Sequence, residues 1–236
     1  PEDVIGVYGG NGTANAPFSN QNTAESGKAT FAGTLASGES PRYAYYPYTS
    51  TAGTDPAAVK GTLGGTQRYN SARHRLEGDW KAGTPQAGNS GKFSFKNIFP
   101  FLRFAVNATG TDVASERLLS VSLQIEGAQL YGDFTCDLTQ GATTCTPAGD
   151  ADKVVMEWSD TPQLAGGSTV YGYMSCFPAT GLSGKTATVT VTTDKHIATF
   201  TTTMKADALK ANYYYTVPLS LALYADSWTL EENPVG

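Results

Sequence analysis

Tyr43-Ala-Tyr-Tyr-Pro-Tyr48 and Phe93-Ser-Phe-Lys-Asn-Ile-Phe-Pro-Phe-Leu-Arg-Phe104 decide how this chain is read. Aromatic side chains recur there at strand spacing, broken by prolines, in a sequence otherwise rich in Thr, Ser, Gly and Ala. Large side chains confined to a few strands predict a β-sandwich core built around them. Within Tyr43–Tyr48, which Pro47 interrupts, alternate tyrosines are expected to pack inward or to line a sheet edge. Phe93 and Phe95 share one face, whereas Leu102, Phe104 and Val106 have the other parity. A bulge or turn near Asn97–Pro100 is therefore expected.

Strand signals continue on both sides of these stretches. Phe31 and Leu35 fall in an alternating run from Lys28. Leu119, Val121, Leu123 and Ile125 alternate with Ser120, Ser122 and Gln124, the pattern of a half-buried strand. Leu130, Phe134, Cys136 and Leu138 are expected on one face. Ala187, Val189 and Val191 alternate with threonines, and Asp194-Lys195 reads as the turn into Ile197–Met204. Tyr213–Leu223 is the last strong strand. Helical signals stop at single turns, Asp55–Lys60 and Lys205–Lys210. Arg68–Gly91 reads as a long irregular connection. Clustered Thr, Gly, Pro and Asp in Gln140–Lys153 mark the expected internal boundary, giving domains 1–147 and 148–236. The class is all-β and antiparallel.

Composition restricts function. Charged residues make up 16% of the 236, against about 25% in ordinary domains. The net charge of −5 offers no basic stripe for nucleic acid. No apolar run approaches the roughly 20 residues that cross a bilayer. Pro1-Glu-Asp-Val is not the start of a signal peptide, and residues upstream of Pro1 are expected to be missing. The low charge and the Thr/Ser content fit a secreted or surface protein.

No nucleophile elbow, metalloprotease helix or phosphate loop is present. The two histidines, His74 and His196, are isolated, so no zinc site is expected. His74 lies between Arg73 and Arg75, where a solvated loop outweighs an anion site. Of three cysteines, Cys136 and Cys145 flank a plausible hairpin. A disulfide there and a set of buried thiols stand as open alternatives, with Cys176 unpaired in either case. No catalysis and no cofactor are expected.

Several segments resemble the fimbrillins, subunits and accessory proteins of type V pili in Bacteroidales. These are Asp3-Val-Ile-Gly-Val-Tyr8, Ala29-Thr-Phe-Ala-Gly33, Ala44-Tyr-Tyr-Pro-Tyr48, Gly61-Thr-Leu63 with Gln67, and Phe93-Ser-Phe-Lys-Asn97. Leu102-Arg-Phe-Ala-Val106, Leu119-Ser-Val-Ser-Leu123 with Gly132, Cys176-Phe-Pro178 and Ala211-Asn-Tyr-Tyr214 continue the series. The resemblance implies two transthyretin-like antiparallel β-sandwich domains, 1–147 and 148–236, the second with a polymerisation tail. It also implies a lipoprotein exported to the outer membrane and displayed in a fimbria. Proteolytic loss of a first strand would open a groove that a strand of another pilin subunit fills. The lipobox cysteine and the cleavage site are absent from the sequence as it stands.

On this reading, possible donor-strand residues are Tyr213, Tyr215, Val217, Leu219, Trp228 and Leu230. Tyr213–Leu223 is favoured as a core strand of its own domain, with Ser227–Gly236 as the freer tail. The possible acceptor edge is Val4, Ile5, Val7 and Tyr8. Partners would be other pilin subunits and host or bacterial surface ligands. Two other readings stand beside it. One is a glycan-binding surface module that stacks sugars on Trp80, Tyr45 or Trp228. The other is a secreted β-sandwich hydrolase, which needs a carboxylate pair in a cleft.

Overall fold

Alternation of β-branched and aromatic residues with Thr, Ser and Gly produces strands throughout, and no helix forms among the described residues. The computed structural model describes residues 3–10, 14–24, 27–86, 91–108 and 113–221, and the backbone of 231–234. The first strands are β1 (Val4–Gly9), β2 (Ala16–Asn20), β3 (Phe31–Ala32), β4 (Pro41–Tyr46) and β5 (Val59–Leu63). Next come β6 (Thr66–Asn70), β7 (Arg75–Leu76), β8 (Lys81–Pro85), β9 (Phe93–Asn97) and β10 (Phe101–Ala108). The middle of the chain forms β11 (Leu118–Ile125), β12 (Gly132–Asp137), β13 (Ala142–Pro147), β14 (Lys153–Trp158) and β15 (Thr169–Ser175). The last are β16 (Ala179–Thr180), β17 (Thr186–Thr193), β18 (Ile197–Thr203), β19 (Ala208–Leu209), β20 (Tyr213–Leu221) and β21 (Glu231–Pro234).

The chain divides into two compact units that are interleaved in sequence. The first is Pro1–Thr62, Asp79–Ile98 and Asp133–Thr146; the second is Leu63–Gly78, Phe99–Gly132 and Pro147–Gly236. A single cut into 1–147 and 148–236 isolates neither unit, because the N-terminal piece would contain 63–78 and 99–132 of the second. Local composition marks loops, but it does not report which distant strands share a sheet. The region expected to be irregular, Arg68–Gly91, contains most of β6, all of β7 and β8, and their turns. Lys205–Lys210 holds the short β19 in place of a helical turn.

In the first unit, a six-stranded sheet runs in the order β3-β2-β1-β4-β8-β9. A three-stranded sheet, β13-β12-β5, belongs to the same unit apart from end residues. Period-two alternation sorts the larger sheet's two faces. Gly6 pairs with Tyr45 and Tyr8 with Tyr43, so these four point one way. On that face the Tyr45 ring is stacked on Trp80, with centroids 6.3 Å apart and planes 9° from parallel. Trp80 in turn meets Phe134 of β12 edge-on at 4.8 Å. The Tyr45 hydroxyl lies 2.7 Å from Asn15 Oδ1 and accepts the Thr49 N–H at 3.1 Å. Burial pushes the Tyr45 phenol up to about 12, against smaller lowering effects of the Thr49 and Asn15 hydrogen bonds. Inward packing of the tyrosine stretch follows the alternation.

The second unit holds a four-stranded sheet, β15-β10-β20-β21, and a six-stranded sheet, β18-β17-β11-β14-β6-β7. Leu102, Phe104 and Val106 of β10 are wholly buried in a core shared with Val121, Leu123 and Ile125 of β11 and Val189 and Val191 of β17. The parity change after Phe95 is therefore a change of sheet. The chain leaves β9 in one unit and enters β10 in the other through Ile98–Pro100. Leu119 departs from its expected face. The β11–β17 register slips between Leu118 and Ser120; Leu118 is buried and Leu119 is exposed. An extra residue at a bulge reverses the alternation beyond it.

Gly6 has no room for a side chain, since an added Cβ would fall inside the Tyr45 ring. Gly6→Ala should therefore destabilise the first unit by about 1–3 kcal/mol through overpacking, read as a lowered urea midpoint. The exposed Gly10, where an added Cβ meets nothing within 4 Å, is the control, and Gly10→Ala should leave the midpoint in place.

Candidate assembly surface

A β-sheet offers another chain two things: unpaired backbone N–H and C=O groups along an edge, and apolar side chains beside them. In the first unit's large sheet the terminal strands are β3, only two residues long, and β9, which pairs on one side with β8. Along β9, Phe93 and Phe95 are half-buried while Ser94 and Lys96 are exposed. Phe95 opposes Gly83, whose missing side chain lets the ring lie over the β8 backbone. The Lys96 charge is the kind that discourages indiscriminate pairing at an edge.

The sheet face that carries Phe93 and Phe95 also carries Ile5, Val7 and Ala44, which are buried. Phe18, Phe31, Leu35 and Tyr46 pack against them while remaining partly exposed. This second apolar face lies opposite the Tyr45–Trp80 stack, because Val7 pairs with Ala44 and alternates with Tyr8 and Tyr45.

The expected acceptor edge at Val4, Ile5, Val7 and Tyr8 is corrected by the pairing. These residues form β1, which is bonded to β2 on one side, with Val4 opposite Ser19, and to β4 on the other, with Tyr8 opposite Tyr43. Both of its ladders are filled, so β1 is an interior strand. An alternating apolar run specifies a buried face equally well in the middle of a sheet and at its rim. Ile5 and Val7 supply the floor of the second apolar face, and among the described residues β9 is the long edge strand, bonded only to β8, which the sequence did not single out as an edge.

Among the possible donor residues, Tyr215, Val217 and Leu219 are buried in the second unit's core. Their strand β20 lies between β10, to which it is parallel with Val217 opposite Phe104, and β21. Tyr213 packs half-buried against the same core. Trp228 and Leu230 lie outside the described residues. The backbone of Glu231–Pro234 runs antiparallel to Tyr213–Thr216 as the outermost strand of that sheet.

The aromatic residues considered for sugar stacking are enclosed. Tyr45 and Trp80 are buried against each other and Phe134, so neither offers a free ring face, and Trp228 again lies outside the described residues. Asp79 is paired with Lys81 at 2.7 Å. The carboxylate of Glu116 is buried, and both its oxygens are engaged, one by the Thr193 hydroxyl at 2.5 Å and one by His196 Nδ1 at 2.7 Å. This carboxylate ties the segment before β11 to the β17–β18 turn. Among the described residues, no group of three or more His, Cys, Asp and Glu could hold a metal ion.

The possible disulfide between Cys136 and Cys145 is not formed; both are free thiols, as is Cys176. Burial raises all three, Cys145 to about 11 with the neighbouring Cys136 adding to it, and Cys176 to about 12. Thiols held protonated in this way are poor nucleophiles at neutral pH.

Comparison with known proteins accords with these features. A family model described as fimbrillin-like matches residues 2–223. A proposed cell adhesion protein from Bacteroides uniformis has a similar structure, with a TM-score of 0.66 and 18% sequence identity. That match covers 100% of this chain and 92% of the other. A second proposed cell adhesion protein, from Bacteroides ovatus, has a TM-score of 0.62 and 16% identity over 99% of this chain and 87% of its own. At these identities the likeness is one of fold. No curated protein matches the chain.

If β20 is a core strand of its own unit, truncating one of its buried side chains must destabilise the isolated subunit. Leu219→Ala should cost about 2–5 kcal/mol, seen as a lowered melting temperature of the monomer. An unchanged monomer melt would mean that this strand is free to be donated.

Proposed function

The chain belongs to the fimbrillin-like family, and on that premise we propose that it is a structural subunit (shaft, tip or anchor) of a type V cell-surface pilus, joined to its neighbours by strand exchange and supporting adhesion. The observation that carries this reading is the first unit's apolar face, Ile5, Val7, Phe93 and Phe95, bordered by the unpaired edge of β9. A strand from another subunit laid along β9 would take up the free N–H and C=O groups and cover the half-exposed rings. Full burial of one phenylalanine contributes about 1.5–3 kcal/mol, so covering the exposed parts of two or three rings gives a firm joint.

The donor in this reading is the C-terminal tail beyond Leu221. The extended backbone of Glu231–Pro234 beside β20 supports the tail's capacity to add to a sheet, and with Tyr215, Val217 and Leu219 in the core this reading takes the donor from the chain beyond them. Donor and acceptor surfaces differ, so each copy can give to one neighbour and receive from another; when the operation does not close, the product is a filament. The proposed route begins with export as a lipoprotein to the outer membrane. Proteolytic removal of a strand preceding Pro1 then exposes the acceptor face. Both units would be transthyretin-like sandwiches, and the partners are other pilin subunits.

The reading is tested with the protein carrying its upstream segment, treated with an arginine- or lysine-specific protease. The wild type should then form ladders of multimers that resist detergent. Phe95→Asp, which puts a charge beside the β9 edge, should keep its fold by circular dichroism and form at least about tenfold fewer multimers. Wild-type protein that never forms ladders would rule out the shaft role.

A further inference from the structure

At one end of the first unit, the last residues of β1 lose their register with β4. The pairing slips between Tyr8 and Gly9, which brings Gly9 opposite Pro41. A cavity of about 330 Å³ opens at this place, its walls including Tyr8, Gly10, Arg42, Tyr43, Thr54 and Pro56. The volume is at the small end of the roughly 300–1,000 Å³ typical of ligand sites, enough for one or two sugar rings. Neither Tyr45 nor Trp80 is among its walls.

Among the described residues, Arg42 is the one charged residue in this lining. Its guanidinium carbon lies 5.7 Å from the centre of the Tyr43 ring, a cation–π contact that engages the charge and leaves the N–H donors over. Among the described residues, no carboxylate or carbonyl takes up those donors. Tyr43 Oη and Thr54 Oγ1 also have no hydrogen-bond partner among the described residues. Other polar groups nearby are engaged. The Tyr8 hydroxyl donates to Gly53 O at 3.1 Å, and the Thr139 hydroxyl donates to Asp137. Asp55, which flanks Tyr8, accepts the Ala57 N–H at 2.8 Å.

A guanidinium with its N–H fork available matches a carboxylate, which can accept two parallel bonds. Tyrosine and proline rings beside two available hydroxyls match the C–H face and hydroxyl rim of a pyranose. We propose that this cavity binds an acidic sugar residue, a pyranose carrying a carboxylate, at the end of a glycan. Arg42 binds the carboxylate, Tyr43 and Thr54 bond ring hydroxyls, and Pro56 with the tyrosine rings packs the apolar face. The cavity is separate from the β9 edge, so the proposal stands or falls independently of pilus assembly.

Methyl β-D-glucuronide and methyl β-D-glucoside differ only in the carboxylate, and both are to be titrated into the full chain by calorimetry and ligand-observed NMR. The glucuronide should bind with a millimolar Kd and at least about tenfold more tightly than the glucoside, since charge-assisted bonds separate the two. Arg42→Ala should erase that advantage without lowering the melting temperature, because Arg42 is exposed. Thr54→Val should weaken both glycosides alike. The proposal is overturned if the two glycosides bind equally, if the glucuronide shows no saturable binding, or if its advantage survives in Arg42→Ala.

Discussion

The contact between Tyr45 and Trp80 is the one on which the first unit depends. Gly6 makes the space, Tyr45 fills it, and Trp80 lies flat against Tyr45 and edge-on to Phe134 of the smaller sheet. Aromatic surface of this size can supply most of what holds two sheets together, and the Tyr45 hydroxyl finds its partners in Asn15 and Thr49. With the large rings facing inward, strict alternation sends Ile5, Val7 and Ala44 to the opposite side. The first unit thus acquires a second apolar face as a geometric consequence of its core.

Among the described residues, the first unit's large sheet is apolar on both faces and ends at β9, which is bonded only to β8. Its remaining needs are backbone pairing and cover for half-buried rings, and one extended strand meets both at once. The second unit has no comparable need along β20, which lies between β10 and β21. In the proposed assembly the first unit would receive a strand and the tail beyond the second unit's core would donate one. The cavity at Arg42 belongs to neither role. It lies where the β1–β4 register slips at the end of the sheet.

Much of this could be read from residue types. Leu102, Phe104 and Val106 were expected on one face and are buried; Ala187, Val189 and Val191 likewise. The turn at Asp194-Lys195 also follows from local pattern. Leu119 could not be read in this way, because the bulge that turns it outward is set by the pairing with β17. That Val4–Tyr8 is an interior strand and not an edge could not be read for a related reason. Val4–Tyr8 has the alternation of a buried strand, and alternation carries no information about whether a strand has one neighbour or two.

The sequence by itself determined the all-β class, the inward faces of most strands and the family, since these depend on period-two patterning and on residues near one another in the chain. Tertiary structure alone decided the interleaving of the two units, the position of the free edge at β9, the enclosure of Tyr45 and Trp80, and the unformed bond between Cys136 and Cys145. Backbone N–H and C=O groups are the same in every residue, so any extended segment can pair with any other. The choice among pairings is made by the packing of side chains distant in sequence, and it becomes visible only when the chain is folded.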